Sequence, residues 1–160
     1  MNSPKPVHRG LFVCHGNIGR STMAESVFTE LVRQAGRSDE FVIDSAATST
    51  EEIGNSPHYG TVTKLRQMSV PLVPHRARQV RAKEYANWDL VIGMDSANIR
   101  NLRRIFKHEP VAQTDNCSKV VKLLSFVDSD RDVADPWYTG NFDVTYEDVL
   151  VGCKALLEQL

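Results

Sequence analysis

The 160-residue sequence has only three cysteines, no C-x-x-C pair, no long apolar run and no excess of charge of either sign. Each absence excludes something. A sparse, odd-numbered cysteine set without paired spacing argues against a disulfide scaffold and against a structural zinc site. Without an apolar stretch of about twenty residues no helix can cross a bilayer. Met1 to Arg9 is polar, carries Pro4 and Pro6, and lacks the apolar centre of a signal peptide. With 19 Lys and Arg against 20 Asp and Glu the formal net charge is −1, which gives no electrostatic case for nucleic acid or a membrane as partner. The expectation is a cytoplasmic protein in a reducing compartment, where the surroundings of each cysteine decide its role. No repeat, linker or low-complexity segment divides the chain. Residues 1–160 are therefore expected to form one domain, with residues 1–8 a candidate disordered tail.

What is present is a globular composition, 41 % hydrophobic and 24 % charged. Gly10-Leu11-Phe12-Val13 reads as a short buried strand. Ala24, Val27, Phe28, Leu31, Val32 and Ala35 then recur at helical spacing, with Thr22 and Glu25 as a capping box and Gly36 as the C-terminal stop. Phe41-Val42-Ile43 and Leu90-Val91-Ile92 are further strands, and Val120 to Leu124 a fourth. Helices are predicted around Val62 to Met68, along Ile99, Leu102 and Phe106, and from Tyr146 to Leu160. This alternation implies right-handed crossovers and an α/β fold, a three-layer sandwich with a mainly parallel four-stranded sheet flanked by helices. In such folds ligands sit beyond the carboxyl ends of the strands.

The loop there is Cys14-His15-Gly16-Asn17-Ile18-Gly19-Arg20-Ser21, between the first strand and the first helix. A loop entering a helix offers free N–H groups and the positive end of the helix dipole, both of which favour an anion. Gly16 and Gly19 relax the backbone and Asn17 tolerates left-handed angles, so the amides can curl inward. Such a ring favours a thiolate at Cys14, and Arg20 adds a planar fork of donors suited to two phosphate oxygens. On its own, a strand-end cysteine reads as a small buried hydrophobe. Neither G-x-x-x-x-G-K-[ST] nor G-x-G-x-x-G is present to make this a nucleotide loop.

Val13 to Ser21, followed by Ala24-Glu25, resembles the phosphate loop of the low-molecular-weight protein tyrosine phosphatases, and Asp135-Pro136-Trp137-Tyr138 resembles that family's C-terminal acid element. The likeness extends through Asp44-Ser45-Ala46, His75 to Gln79 and Met94-Asp95. It implies a phosphatase acting on phosphotyrosine in proteins, and on aryl phosphates, through a phosphocysteine on Cys14. Arg20 would bind phosphate and Asp135 serve as general acid and then base. His15, Gly16, Asn17, Ile18, Gly19 and Ser21 would line the phosphate, with the Ser21 hydroxyl on the thiolate. Asn17 would tie the loop to Ser21, Ser45 and His75, and Trp137 and Tyr138 would wall a slot deep enough to select a phenyl phosphate. No metal or organic cofactor is implied, and a monomer or weak dimer is expected.

The sequence departs from the family at three points. Gly19 stands where many members carry a second, protective cysteine; Glu51, beside Glu52, stands where a cleft Trp is common; and Thr22 replaces a Pro at the start of the helix. A phosphoarginine phosphatase is the nearest alternative, although Ile18 occupies the place where such enzymes carry Thr. An arsenate reductase of this fold would need two further cysteines close together, and Cys117 and Cys153 are far apart in sequence. A non-enzymatic phosphotyrosine-binding module would have no need of both Cys14 and Asp135.

Overall fold

The computed structural model describes residues 7–160. Of the tail expected over residues 1–8, residues 1–6 lie outside the described part, and His8 already belongs to a strand. The four strands are β1 (His8–Cys14), β2 (Phe41–Ala47), β3 (Leu90–Gly93) and β4 (Val120–Lys122), all parallel, in the order β2-β1-β3-β4. The principal helices are α1 (Arg20–Gln34), α2 (Tyr59–Gln67), α3 (Ser96–Phe106) and α6 (Phe142–Gln159), with short α4 (Pro110–Thr114) and α5 (Pro136–Thr139) between. Side chains alternate across a strand, so β1 feeds both cores. Phe12 packs with Met23, Phe28 and Val149 under α1 and α6, while Leu11 and Val13 pack with Tyr85, Leu102 and Phe106 on the α3 side. Leu11, Phe12 and Val13 are fully buried, the unbroken apolar run required of a parallel strand covered on both faces.

Several local readings are corrected. Helix α1 begins at Arg20 with Gly19 as its cap residue, so Thr22 and Glu25 form no capping box. The Thr22 hydroxyl donates to the Gly19 carbonyl at 2.9 Å, and Glu25 turns inward to Ser45, a partner twenty residues away. Gly36 does end α1: at φ +71 it lets its own N–H reach Arg33 O and that of Arg37 reach Val32 O, each at 3.0 Å. The fourth strand is shorter than expected because Leu123–Val127 winds into a 3₁₀ helix against α6. Gly152 makes room there, since a Cβ on it would lie 2.5 Å from Leu123 Cγ. Cys117 lies in the turn after α4 and is buried in the Tyr85 and Phe106 cluster with its backbone in the left-handed region. Cys153 is fully buried on α6, and burial pushes its thiol far upward. Among the described residues no helix is long and apolar enough to cross a membrane.

Candidate active site

Residues 14–21 leave the carboxyl end of the central strand and enter α1, so both ends of the loop are fixed by buried elements. Cys14 is 4 % exposed. Its Sγ lies 3.0 Å from Ser21 Oγ and accepts the Asn17 backbone N–H at 3.3 Å. Ser21 Oγ also accepts from Asn17 Nδ2 at 2.8 Å, which leaves its own proton for the sulfur. The carbonyls of Cys14 and His15 are held by the N–H groups of Thr48 and Ser49, that of Ile18 by His58, and that of Gly19 by the Thr61 hydroxyl. The left-handed step of the loop falls on Asn17, at φ 60, and not on Gly16 or Gly19. A Cβ at Gly19 would meet nothing within 4 Å, so its lack of a side chain is not a steric requirement.

Asn17 is the hub of the loop. It is 1 % exposed and every amide group is used. Nδ2 donates to Ser21 and to Ser45 Oγ (3.0 Å), while Oδ1 accepts from His75 Nε2 at 2.6 Å and from the Arg78 N–H at 3.2 Å. Bonds of this kind offset the cost of left-handed backbone for a residue other than glycine. Behind the hub, Ser45 Oγ donates to Glu25 Oε1 at 2.5 Å. His75 Nδ1 stands 3.6 Å from Glu25 and 3.7 Å from Asp44, and Arg78 pairs with Asp44 at 3.0 Å. Burial pushes the Glu25 carboxyl up to about 7, against the pull of the Ser45 bond, with Asp44 adding to the rise and Arg78 opposing it. Burial also lowers His75, opposed by Asp44. Glu25, Asp44 and His75 bring ligand atoms within 4.8 Å of one another. Ser45 and Arg78 already engage the two carboxylates.

Arg20 is 5 % exposed. Its Nη1 donates to the Val133 carbonyl at 3.0 Å, and its Nη2 to Asp95 Oδ2 at 2.8 Å, with Asp135 Oδ2 3.3 Å from the same nitrogen. Burial works against its charge, yet Cys14, Asp95 and Asp135 outweigh that and raise its proton affinity. Asp135 is the N-terminal cap of α5, its Oδ1 accepting the Trp137 N–H at 3.0 Å. Trp137 and Tyr138 were expected to wall a slot. They stand 86 % and 84 % exposed, because the four-residue α5 buries none of its side chains. On another side His15 pairs with Glu51 at 3.0 Å, both in solvent, and Glu52 packs beside Gly16 while accepting from Asn55. Ile18 is partly exposed.

Sequence reasoning gave no role to Asp95, Asp44 or Arg78, and read Glu25 only as half of a capping box. Asp95 had one usable signal, an Asp at the carboxyl end of a strand and the start of a helix, a capping position facing the ligand end of the sheet. The other three are linked only through tertiary contacts.

The family model for low molecular weight phosphotyrosine protein phosphatase matches residues 9–160. The mouse low molecular weight phosphotyrosine protein phosphatase is 40 % identical over 153 residues, covering 93 % of each chain. The Bacillus subtilis low molecular weight protein-tyrosine-phosphatase YfkJ is 40 % identical over 152 residues, covering 94 % of each. The crystal structure of YfkJ superposes with a TM-score of 0.88 at 38 % identity, covering 98 % of this chain and 96 % of that one.

Proposed function

The chain belongs to the low molecular weight phosphotyrosine protein phosphatase family and is a protein-tyrosine phosphatase; from that premise we propose that it works through a phosphocysteine on Cys14, with Arg20 as the phosphate clamp and Asp135 as proton donor and acceptor. The observation that carries this reading is a convergence. One loop aims a hydroxyl and an N–H at Cys14 Sγ, and its own Arg20 reaches Asp135.

In this mechanism the phosphate dianion of a phosphotyrosine rests on the loop amides and Arg20, at the N-terminus of α1, where backbone dipoles and the guanidinium stabilise negative charge. Cys14 Sγ attacks the phosphorus in line with the aryl oxygen. The P–O bond breaks, and Asp135, entering protonated, gives its proton to the departing phenolate oxygen. Asp135, now a carboxylate, takes a proton from a water whose oxygen attacks the phosphorus. The S–P bond breaks, inorganic phosphate forms and the thiolate returns. The Ser21 hydroxyl supports the thiolate at both ends of the cycle, and Asn17 holds Ser21 in place. Ser45 and His75 act through Asn17 and do not touch the phosphate. His15, Gly16, Ile18 and Gly19 shape the loop, and Trp137 and Tyr138 flank its mouth.

We place the working protein in the cytoplasm as a single domain, a setting that fits three unpaired cysteines. The test is hydrolysis of p-nitrophenyl phosphate and a phosphotyrosine peptide, with a phosphoarginine peptide as the competing substrate, by wild type and Cys14→Ser. Turnover of the two aryl phosphates by wild type and none by Cys14→Ser is the expected result. Preference for phosphoarginine, or activity surviving Cys14→Ser, overturns the reading.

A further inference from the structure

A groove of about 500 Å³, sharing no residue with the catalytic loop, runs between α3, the edge strand β4 and residues 123–130. Its floor is apolar, formed by Ile99, Val120 and Val121; Arg100 stands on one rim, Asp128 and Asp130 on the other. Among the described residues β4 pairs only with β3, so no further strand covers this side.

From Arg100 the same helix turns basic. Arg100, Arg103, Arg104 and Lys107 are all exposed, α3 contains no acidic residue, and among the described residues none of the four cations forms an ion pair. Cations in the last turn complement the helix dipole, which accounts for Arg103, Arg104 and Lys107. It does not account for Arg100, which sits mid-helix on the groove rim.

The groove adjoins the catalytic machinery. Ser96, another lining residue, donates its N–H to Asp132 at 3.1 Å, and Lys122 donates to the same carboxylate at 2.8 Å. The neighbouring Val133 carbonyl holds Arg20, and Asp135 follows two residues later. The loop 128–135 thus joins the groove lining to the residues that hold Arg20.

We propose that this groove and the basic face of α3 form a second docking site for the phosphoprotein substrate. It would take an acidic segment carrying one aliphatic residue, placed away from the phosphotyrosine. The aliphatic side chain enters the apolar floor, and the acids face Arg100 and Lys107. Asp128 and Asp130 repel the opposite orientation and fix the polarity. A concave groove with two acids on its far rim fits a peptide better than a flat anionic membrane. The inference rests on the phosphotyrosine reading of the catalytic site.

The test compares a short neutral phosphotyrosine peptide with the same peptide joined by a flexible linker to a Glu-Leu-Glu-Glu segment. In wild type at low salt, the tethered segment is expected to raise kcat/KM about tenfold, a modest gain for a second linked contact. The double variant Arg100→Glu/Lys107→Glu is expected to lose that gain and keep wild-type turnover of p-nitrophenyl phosphate. Equal kcat/KM for the two peptides in wild type, or a gain that survives the double variant, overturns the proposal. Fluorescence anisotropy of the labelled, unphosphorylated segment reads docking without catalysis, so a failure of the phosphatase reading is seen separately as absent p-nitrophenyl phosphate turnover. Binding to phosphatidylserine vesicles with no binding of the segment overturns it in favour of a membrane surface.

Discussion

The carboxylate of Asp95 receives Arg20 Nη2 at 2.8 Å while its other oxygen accepts the Asn98 N–H at 2.7 Å. One side chain thus starts α3 and holds the guanidinium of Arg20, the proposed phosphate clamp. A hydrogen bond to a charged group contributes about 1.5–3 kcal/mol, and Asn caps a helix nearly as well as Asp. Asp95→Asn therefore keeps the cap but leaves the buried Arg20 without this charged partner, and is expected to lower the melting temperature and to lose roughly tenfold or more in kcat/KM for p-nitrophenyl phosphate. Unchanged kcat/KM would mean that Val133 and the helix alone orient Arg20.

In the proposed mechanism Asp135 matters in proportion to how badly the leaving oxygen needs a proton. Asp135→Asn is expected to slow phosphotyrosine and phenyl phosphate by about 10²–10⁴. It should slow p-nitrophenyl phosphate less, because that phenolate departs more easily without help. Steady-state kinetics over a series of aryl phosphates checks this, and an equal loss for every leaving group would remove Asp135 from the proton-donor role.

How much of this was legible in the sequence depended on the range of the contact. Cys14 to Ser21 could be read because a strand, a turn and a helix follow one another within a few residues. Glu25 misled because its local spacing from Thr22 imitates a capping box, whereas burial and Ser45 decide its direction. The burial of Cys117 was hidden for a similar reason: its neighbours in sequence are polar, yet it packs in one cluster with Tyr85 and Phe106. The exposure of Trp137 and Tyr138 was illegible because it depends on α5 being a single turn with no face against the core.

The elevated Glu25 carboxyl makes stability depend on pH. With a folded value of about 7 above the ordinary 4.5, the folded protein holds a proton that the unfolded chain releases. This contribution favours folding fully below about pH 4.5 and is lost as pH rises through 7. Its upper size is on the order of 3 kcal/mol. Glu25→Gln carries no such charge at any pH, so its melting temperature is expected to gain on that of wild type between pH 5 and pH 8. Parallel melting curves for the two proteins would show that Glu25 titrates normally.

Oxidation should be poorly reversible. Gly19 leaves Cys14 without a cysteine in its own loop, while Cys153 is buried against Ala24 and Cys117 lies in the cluster on the opposite face of the sheet. Hydrogen peroxide converts a thiolate to sulfenic acid, and without a thiol partner to capture it a second peroxide carries it to sulfinic acid. Dithiothreitol is expected to restore only a minor part of the activity. Gly19→Cys, which the open space at that position admits, should raise the recoverable fraction. Full recovery of wild type would sink the idea.

The placement of β1 between β2 and β3 has a consequence in time. Backbone amides in a central strand exchange with solvent only when most of the domain opens, whereas those of an exposed single turn exchange through local fraying. Amides of β1, which ends at Cys14, are therefore expected to exchange among the slowest in the molecule, and those of α5, which Asp135 caps, among the fastest. In the proposed mechanism the nucleophile would then be held by the most persistent part of the fold and the proton donor by one of the least persistent.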